Sequence, residues 1–270
     1  MKKYLFVLAA VVMTFAACND NNPAAVDGKL PGKFSVSKTM KVQFSQGNLQ
    51  YQRSTGDFKF AVFQWEAKGA ENANFILNSP KEDEQNKKWR DLFQPYEARW
   101  SSLEIKNGGD NQWFLLDQSQ WFYLINREND KYGKLFAPAT VISVRGWILL
   151  PDDFELPSDC KYNGAASSFD DESNNYGTLA WASMQLAGAV FLPATGIGAK
   201  KTKDILTEAN EFDYAGEYMK VSNDNMGYYW ELYEGSGGRG YVRISGTNAS
   251  TIYVDDADFM AVRYVTRVND

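Results

Sequence analysis

Two short helical patterns stand among segments of strand length, and that mixture limits what this chain can fold into. Isolated helices with a β-rich remainder build an α+β layout of antiparallel strands, not the parallel sheet of repeated βαβ units. The first helix is announced by Leu116-Asp117-Gln118-Ser119-Gln120-Trp121. Asp117 is placed to accept from the backbone two or three residues on, and Gln120 to reach back to the Asp117 N–H, which together make a capping box. Leu116 and Trp121 bracket it as a hydrophobic staple. Trp121, Leu124 and Ile125 then share one face, so Trp121 reads as core, and the helix ends near Asn126 or Arg127. A second helix, Thr178 to Ala187, stops at Gly188, where a left-handed cap favours glycine.

Around these lie the strands. Val42 and Phe44, Leu49 and Tyr51, and Phe58, Phe60 and Val62 alternate with polar residues, and Ser54-Thr55-Gly56-Asp57 predicts a hairpin turn. Val141 to Pro151 reads as an apolar strand pair broken at Arg145-Gly146, and Ala189 to Leu192 as a buried strand. Tyr228 to Tyr233 and Tyr241 to Ile244 form a hairpin joined by Gly235-Ser236-Gly237-Gly238-Arg239-Gly240, and Ala261 to Val265 closes the chain with Val262 and Tyr264 on one face. No Lys-Ser or Lys-Thr follows the glycine run, so it reads as a flexible loop and not as a phosphate cradle. Residues 67–111 carry little pattern; the charged run from Lys81 to Arg90 reads as a solvated face. Residues 197–225 read as a polar insertion with a strand at Tyr218 to Val221.

The N-terminus states an address. Lys2 and Lys3 precede an apolar run, Tyr4 to Phe15, too short to span a bilayer, and the run ends in small residues before a cysteine, Ala16-Ala17-Cys18. Residues 1–17 therefore read as a signal peptide and Cys18 as the lipidated first residue of the mature chain, since the segment resembles the lipobox of bacterial lipoproteins. Residues 18–32 read as a tether, and residues 33–270 as a single domain. The expected location is the cell envelope, as an outer-membrane lipoprotein with its domain at the cell surface.

Composition narrows the chemistry. The 270 residues contain no histidine, which removes His-based triads, His general bases and His-ligated metals. A net charge of −6, falling to −8 once Lys2 and Lys3 leave with the leader, disfavours nucleic acid, because clustered Lys and Arg must neutralise phosphates. With Cys18 assigned to lipid, Cys160 has no disulfide partner and reads as a partly buried apolar residue. The loop Phe169-Asp170-Asp171-Glu172-Ser173-Asn174-Asn175 offers hard oxygen ligands, so Asp170, Asp171 and Glu172 are weak calcium candidates without EF-hand spacing; no other metal or cofactor is expected.

Several motifs, taken together and in order, resemble one family. They are Phe44-Ser45-Gln46-Gly47-Asn48-Leu49-Gln50-Tyr51 with Phe58-Lys59-Phe60-Ala61, the Trp113 to Arg127 helix segment, Gly146-Trp147-Ile148-Leu149-Leu150-Pro151-Asp152, Phe191-Leu192-Pro193-Ala194, Gly227-Tyr228-Tyr229-Trp230 and Val262-Arg263-Tyr264-Val265. This set is similar to Bacteroidetes lipoproteins of unassigned function, related to the Fibrobacter succinogenes major paralogous domain. The resemblance implies a C-type-lectin-like fold with long loops. The formylglycine-generating enzyme, which resembles that fold too, uses a cysteine pair that the mature domain lacks, and the lectin tripeptides Glu-Pro-Asn, Gln-Pro-Asp and Trp-Asn-Asp are absent here.

Function then falls between classes. The expectation is a non-catalytic binding surface for glycan, peptide or protein, with Trp230, Tyr233, Arg239, Tyr241 and Tyr253 as ligand-binding candidates, because aromatic rings stack on sugars and anchor interfaces. The same aromatics also fit a core, with Trp230 leaning that way. A structural or assembly subunit of a surface appendage is the alternative, and a glycosidase built on two facing carboxylates is a more distant one.

Overall fold

The computed structural model of the chain describes residues 22, 24–52, 57–66, 74–75, 103–195, 198–200, 212–213, 218–220, 226–232, 239–254 and 261–268. At its centre is a four-stranded sheet in the order Asn175–Tyr176, Phe136–Val141, Val144–Leu149 and Val190–Pro193. The two long strands form a hairpin that pairs Phe136 with Leu149 and Val141 with Val144. Its turn lies at Ile142-Ser143, both at positive φ, as a two-residue hairpin loop requires. The break expected at Arg145-Gly146 is therefore three residues too late. Gly146 sits inside the strand, opposite Ala139 and Pro193, and a Cβ there would lie 2.3 Å from the Leu192 carbonyl oxygen. Its glycine answers a close approach between strands and not a turn.

Both faces of this sheet are covered, which explains why its strands are nearly continuous apolar runs. On one face Ala137, Ala139, Val141, Ile148 and Phe191 pack with Trp181 and Met184 of helix α2 (Thr178–Leu186). On the other, Phe136, Trp147, Leu149, Val190 and Leu192 pack with Trp121, Leu124 and Ile125 of helix α1 (Gln118–Ile125) and with Tyr229, Val242 and Ile244. The layout is α+β, with mostly antiparallel strands; Asn175–Tyr176 against Phe136–Val141 is a parallel pair.

Both helix ends follow their local chemistry. Asp117 Oδ1 accepts from the Gln120 N–H at 2.8 Å, and Gln120 Oε1 accepts from the Asp117 N–H at 3.1 Å. Helix α2 closes in a Schellman motif: Gly188, at φ +96°, donates to the Gln185 carbonyl, and Ala189 donates to that of Met184.

The expected hairpin of Leu49–Gln52 and Asp57–Phe60 is present, and Tyr218–Lys220 is a strand. A C-terminal sheet joins Met226–Trp230, Arg239–Ser245 and Asn248–Val254 in antiparallel order, so the hairpin has a third strand that the sequence pattern did not announce. The closing strand is Val265–Arg267, displaced toward the C-terminus from the expected 261–265, and it pairs with Lys41–Phe44. Val262 and Tyr264 do share one cluster, with Phe58, Phe60 and Trp113.

The stretch expected to end a tether is laid onto the fold. Asn22 is buried, Leu30 is fully buried and donates its N–H to the Phe44 carbonyl, and Lys29 forms a bridge with Ser45. Gly32 meets the backbone of Gly188 so closely that a Cβ would sit 2.1 Å from its carbonyl oxygen. The packed domain thus reaches back to Asn22 instead of starting at residue 33. Backbone bridges and amide contacts hold this segment, and these leave no hydropathy period to read.

Candidate functional site

The C-terminal sheet positions the aromatic candidates. Register pairs Trp230 with Tyr241 and Tyr241 with Ile252, while Arg239 pairs with Val254 and Gly240 with Tyr253. Alternation along strands then assigns Trp230, Arg239 and Tyr241 to positions on one face of the sheet and Tyr253 to the other. Tyr241 is 6% exposed, with its ring 5.7 Å from that of Tyr228, in the cluster that also holds Leu49, Val262 and Tyr264. Its ring serves packing. The side chains of Trp230, Arg239 and Tyr253, and the whole of Tyr233, lie outside the described residues. Beside them, Glu231 is buried with its carboxylate over Gly240, where a Cβ would fall 2.3 Å from Oε1. Nothing in the pattern of Trp230-Glu231-Leu232 signalled a buried acid there.

On the inner side of the same segment lies a polar network that sequence reasoning did not single out. Arg263, 1% exposed, donates from Nη2 to Gln64 Oε1 at 2.9 Å and from Nη1 toward Asn48 Oδ1 at 3.4 Å. Gln64 Oε1 also accepts from the Phe191 N–H at 2.8 Å, and Gln64 Nε2 donates to Gln185 Oε1 at 2.9 Å. Gln185 in turn donates to Asn22 Oδ1 at 2.7 Å and accepts from Asn22 Nδ2. Burial pulls the Arg263 guanidinium down to about 10, which leaves it charged at neutral pH. Five side chains thereby connect the N-terminal segment, the loop after Phe60, the end of α2 and the closing segment. The Asn and Gln of Gln46-Gly47-Asn48 were visible in sequence, but nothing marked them as inward.

Two acids of the acidic loop make local bonds. Asp170 Oδ1 accepts from Arg145 Nη2 at 3.1 Å; Asp171 caps a short 3-10 turn, Glu172–Asn174, through the Ser173 N–H and accepts from Asn163 Nδ2 at 2.9 Å. Glu172 is exposed. Among the described residues no three His, Cys, Asp or Glu side chains form a group able to hold a metal ion.

Cys160 is half-buried, with Sγ directed at the Ala180 carbonyl at 3.4 Å, and burial pushes its thiol up to about 11, with the Asp159 charge adding to the shift. Its partial burial is what the sequence reading expected, and its place beside α2 is new. Cys18 lies outside the described residues.

Compared with protein-family models, curated proteins and solved structures, the chain matches none. Among the described residues no helix is long and apolar enough to cross a membrane, which says nothing of spanning by strands.

Proposed function

We propose that this chain is a lipid-anchored cell-envelope protein, held at the outer membrane through Cys18, whose domain presents a non-catalytic binding surface for glycan, peptide or protein. The observation that carries it is the junction of leader and fold: Ala16-Ala17-Cys18 ends an apolar run, and four residues later Asn22 is already bonded into the domain. A lipidated cysteine immediately before a packed domain is what an anchor needs. The antiparallel sheets and two short helices support the C-type-lectin-like arrangement as the finer assignment of the α+β fold. Within the C-terminal sheet, Tyr241 and Tyr228 pack against each other, so recognition is assigned to the segment around Trp230, Tyr233 and Arg239, while Tyr253 takes a position on the opposite face.

The test has two arms. Labelled palmitate enters the wild-type chain and Cys18→Ala releases it to the soluble fraction; retention of the variant at the membrane overturns the anchor. The soluble domain, residues 19–270, is then screened on a glycan array and against envelope proteins. Binding lost in the combined Tyr233→Ala and Arg239→Ala variant supports the assigned segment. Silence in both screens removes the recognition role, and stable co-purification with one envelope partner without glycan binding transfers the reading to an assembly subunit.

A further inference from the structure

Helix α2 is a surface helix with an unusual outside. Its nine residues, Thr-Leu-Ala-Trp-Ala-Ser-Met-Gln-Leu, include no charged side chain, in a chain where 23% of residues are charged. Trp181 and Met184 face the central sheet, whereas Leu179 is 61% exposed and Leu186 43% exposed. Seven residues apart, these two leucines lie on one side of the helix. Of the four large hydrophobic residues exposed among the described residues, a third, Val26, belongs to the N-terminal segment, and the fourth, Tyr123, is on α1. A charge-free helix face that leaves two leucines in water calls for a cover.

The N-terminus says what the cover is. Asn22 is bonded in both directions to Gln185, the residue before Leu186, so the chain enters the fold at the C-terminal end of α2. Only four chain steps separate Asn22 from Cys18. Fully extended they span at most about 14 Å, about the length of α2 itself. An acyl-modified Cys18 sits in the bilayer interface, so the end of α2 is confined to within about that distance of the headgroups.

We propose that the outer face of α2, presented by Leu179 and Leu186, lies against the membrane that anchors the chain. The inference rests on lipidation at Cys18 and adds an orientation to it. The central sheet separates α2 from α1 and from the C-terminal sheet, which pack on its opposite face. The C-terminal sheet therefore faces away from the bilayer, where a partner can reach it.

The experiment uses the full lipidated chain in phosphatidylethanolamine–phosphatidylglycerol vesicles. In a Cys160→Ser background, single cysteines at Leu179→Cys, Leu186→Cys and, on the opposite layer, Tyr123→Cys each carry an environment-sensitive fluorophore. The expected result is a blue shift, and quenching by headgroup-attached nitroxide lipids, at positions 179 and 186 but not at 123. Water-like emission at 179 and 186 while the protein stays vesicle-bound overturns the orientation and leaves the lipid anchor standing. A blue shift that grows with protein density at fixed lipid assigns the face to a second copy of the chain and overturns the proposal equally. If Cys18→Ser binds vesicles as the lipidated chain does, the anchor itself fails, and the orientation with it.

Discussion

Arg263 donates from Nη2 to the Oε1 of Gln64 at 2.9 Å, across 199 positions of sequence, and among the described residues no carboxylate bonds to its guanidinium. A buried cation held by amides depends on each of them, since no counter-charge offsets its desolvation. Gln64→Leu strands that cation and is expected to cost about 3–5 kcal/mol of stability. Arg263→Met removes the charge together with its need for partners and leaves Gln64 bonded to Phe191, so it costs less, about 1–2 kcal/mol. Urea unfolding of the two variants checks the order, and a larger loss for Arg263→Met refutes it.

Asp152 gathers the opposite kind of site. It accepts from the Ser35 N–H at 3.0 Å and hydroxyl at 2.7 Å, from Lys41 at 3.0 Å and from Arg127 at 2.6 Å. Burial alone raises its pKa, but the Ser35 bonds, Lys41 and Arg127 outweigh burial and hold the carboxyl below its usual 3.8. The stability it contributes is complete above the unfolded-state value and is lost as pH falls through the lower folded one. Asp152→Asn should cost about 2–3 kcal/mol at pH 7, because Arg127 is left buried with a weaker partner, and should flatten the acid limb of a stability–pH curve below pH 4.

Two glycines should respond with opposite signs. A methyl group at Gly146 meets the Leu192 carbonyl and the Phe191 ring at 2.3 and 2.6 Å, so Gly146→Ala is expected to destabilise by about 1–3 kcal/mol. Gly177 caps α2 with no side-chain bond and has open space around it. Gly177→Ser supplies the missing acceptor and should gain a few tenths of a kcal/mol. Thermal unfolding midpoints of the two variants separate them.

Cys160 should be slow toward alkylating reagents at neutral pH and should react only as pH approaches its folded pKa of about 11. Because the thiol keeps its proton longer in the folded state than in the unfolded one, whose value is near 9, this group makes stability fall as pH rises between the two. Iodoacetamide kinetics against pH, compared between native and urea-unfolded chain, reads both effects. Equal rates at pH 8 would refute the burial.

Local chemistry was the legible part. The capping box of Asp117 and Gln120, the glycine stop at Gly188, the Leu49–Phe60 hairpin and the core role of Trp121 depend on neighbours within a few residues, so the sequence displays both partners side by side. At Gly146 the local signal, a glycine between apolar runs, points to a turn, while its real constraint is Leu192, which sequence places 46 positions away. The third strand of the C-terminal sheet, Asn248–Val254, lacks strict alternation, and it is defined by pairing with Arg239–Ser245. Among the site candidates, Tyr241 looked the same as its neighbours, and only its contact with Tyr228 shows that its ring serves packing.

The sequence by itself determined the α+β class, the want of histidine chemistry and the helix ends, because each rests on composition or on contacts short along the chain. Tertiary structure alone decided that residues before 33 belong to the fold, that Arg263 is buried among amides, and that α2 and the C-terminal sheet lie on opposite faces of one central sheet. Those facts depend on which distant segments meet, and hydrogen bonds between amides, unlike apolar periods, leave no trace in the order of residues.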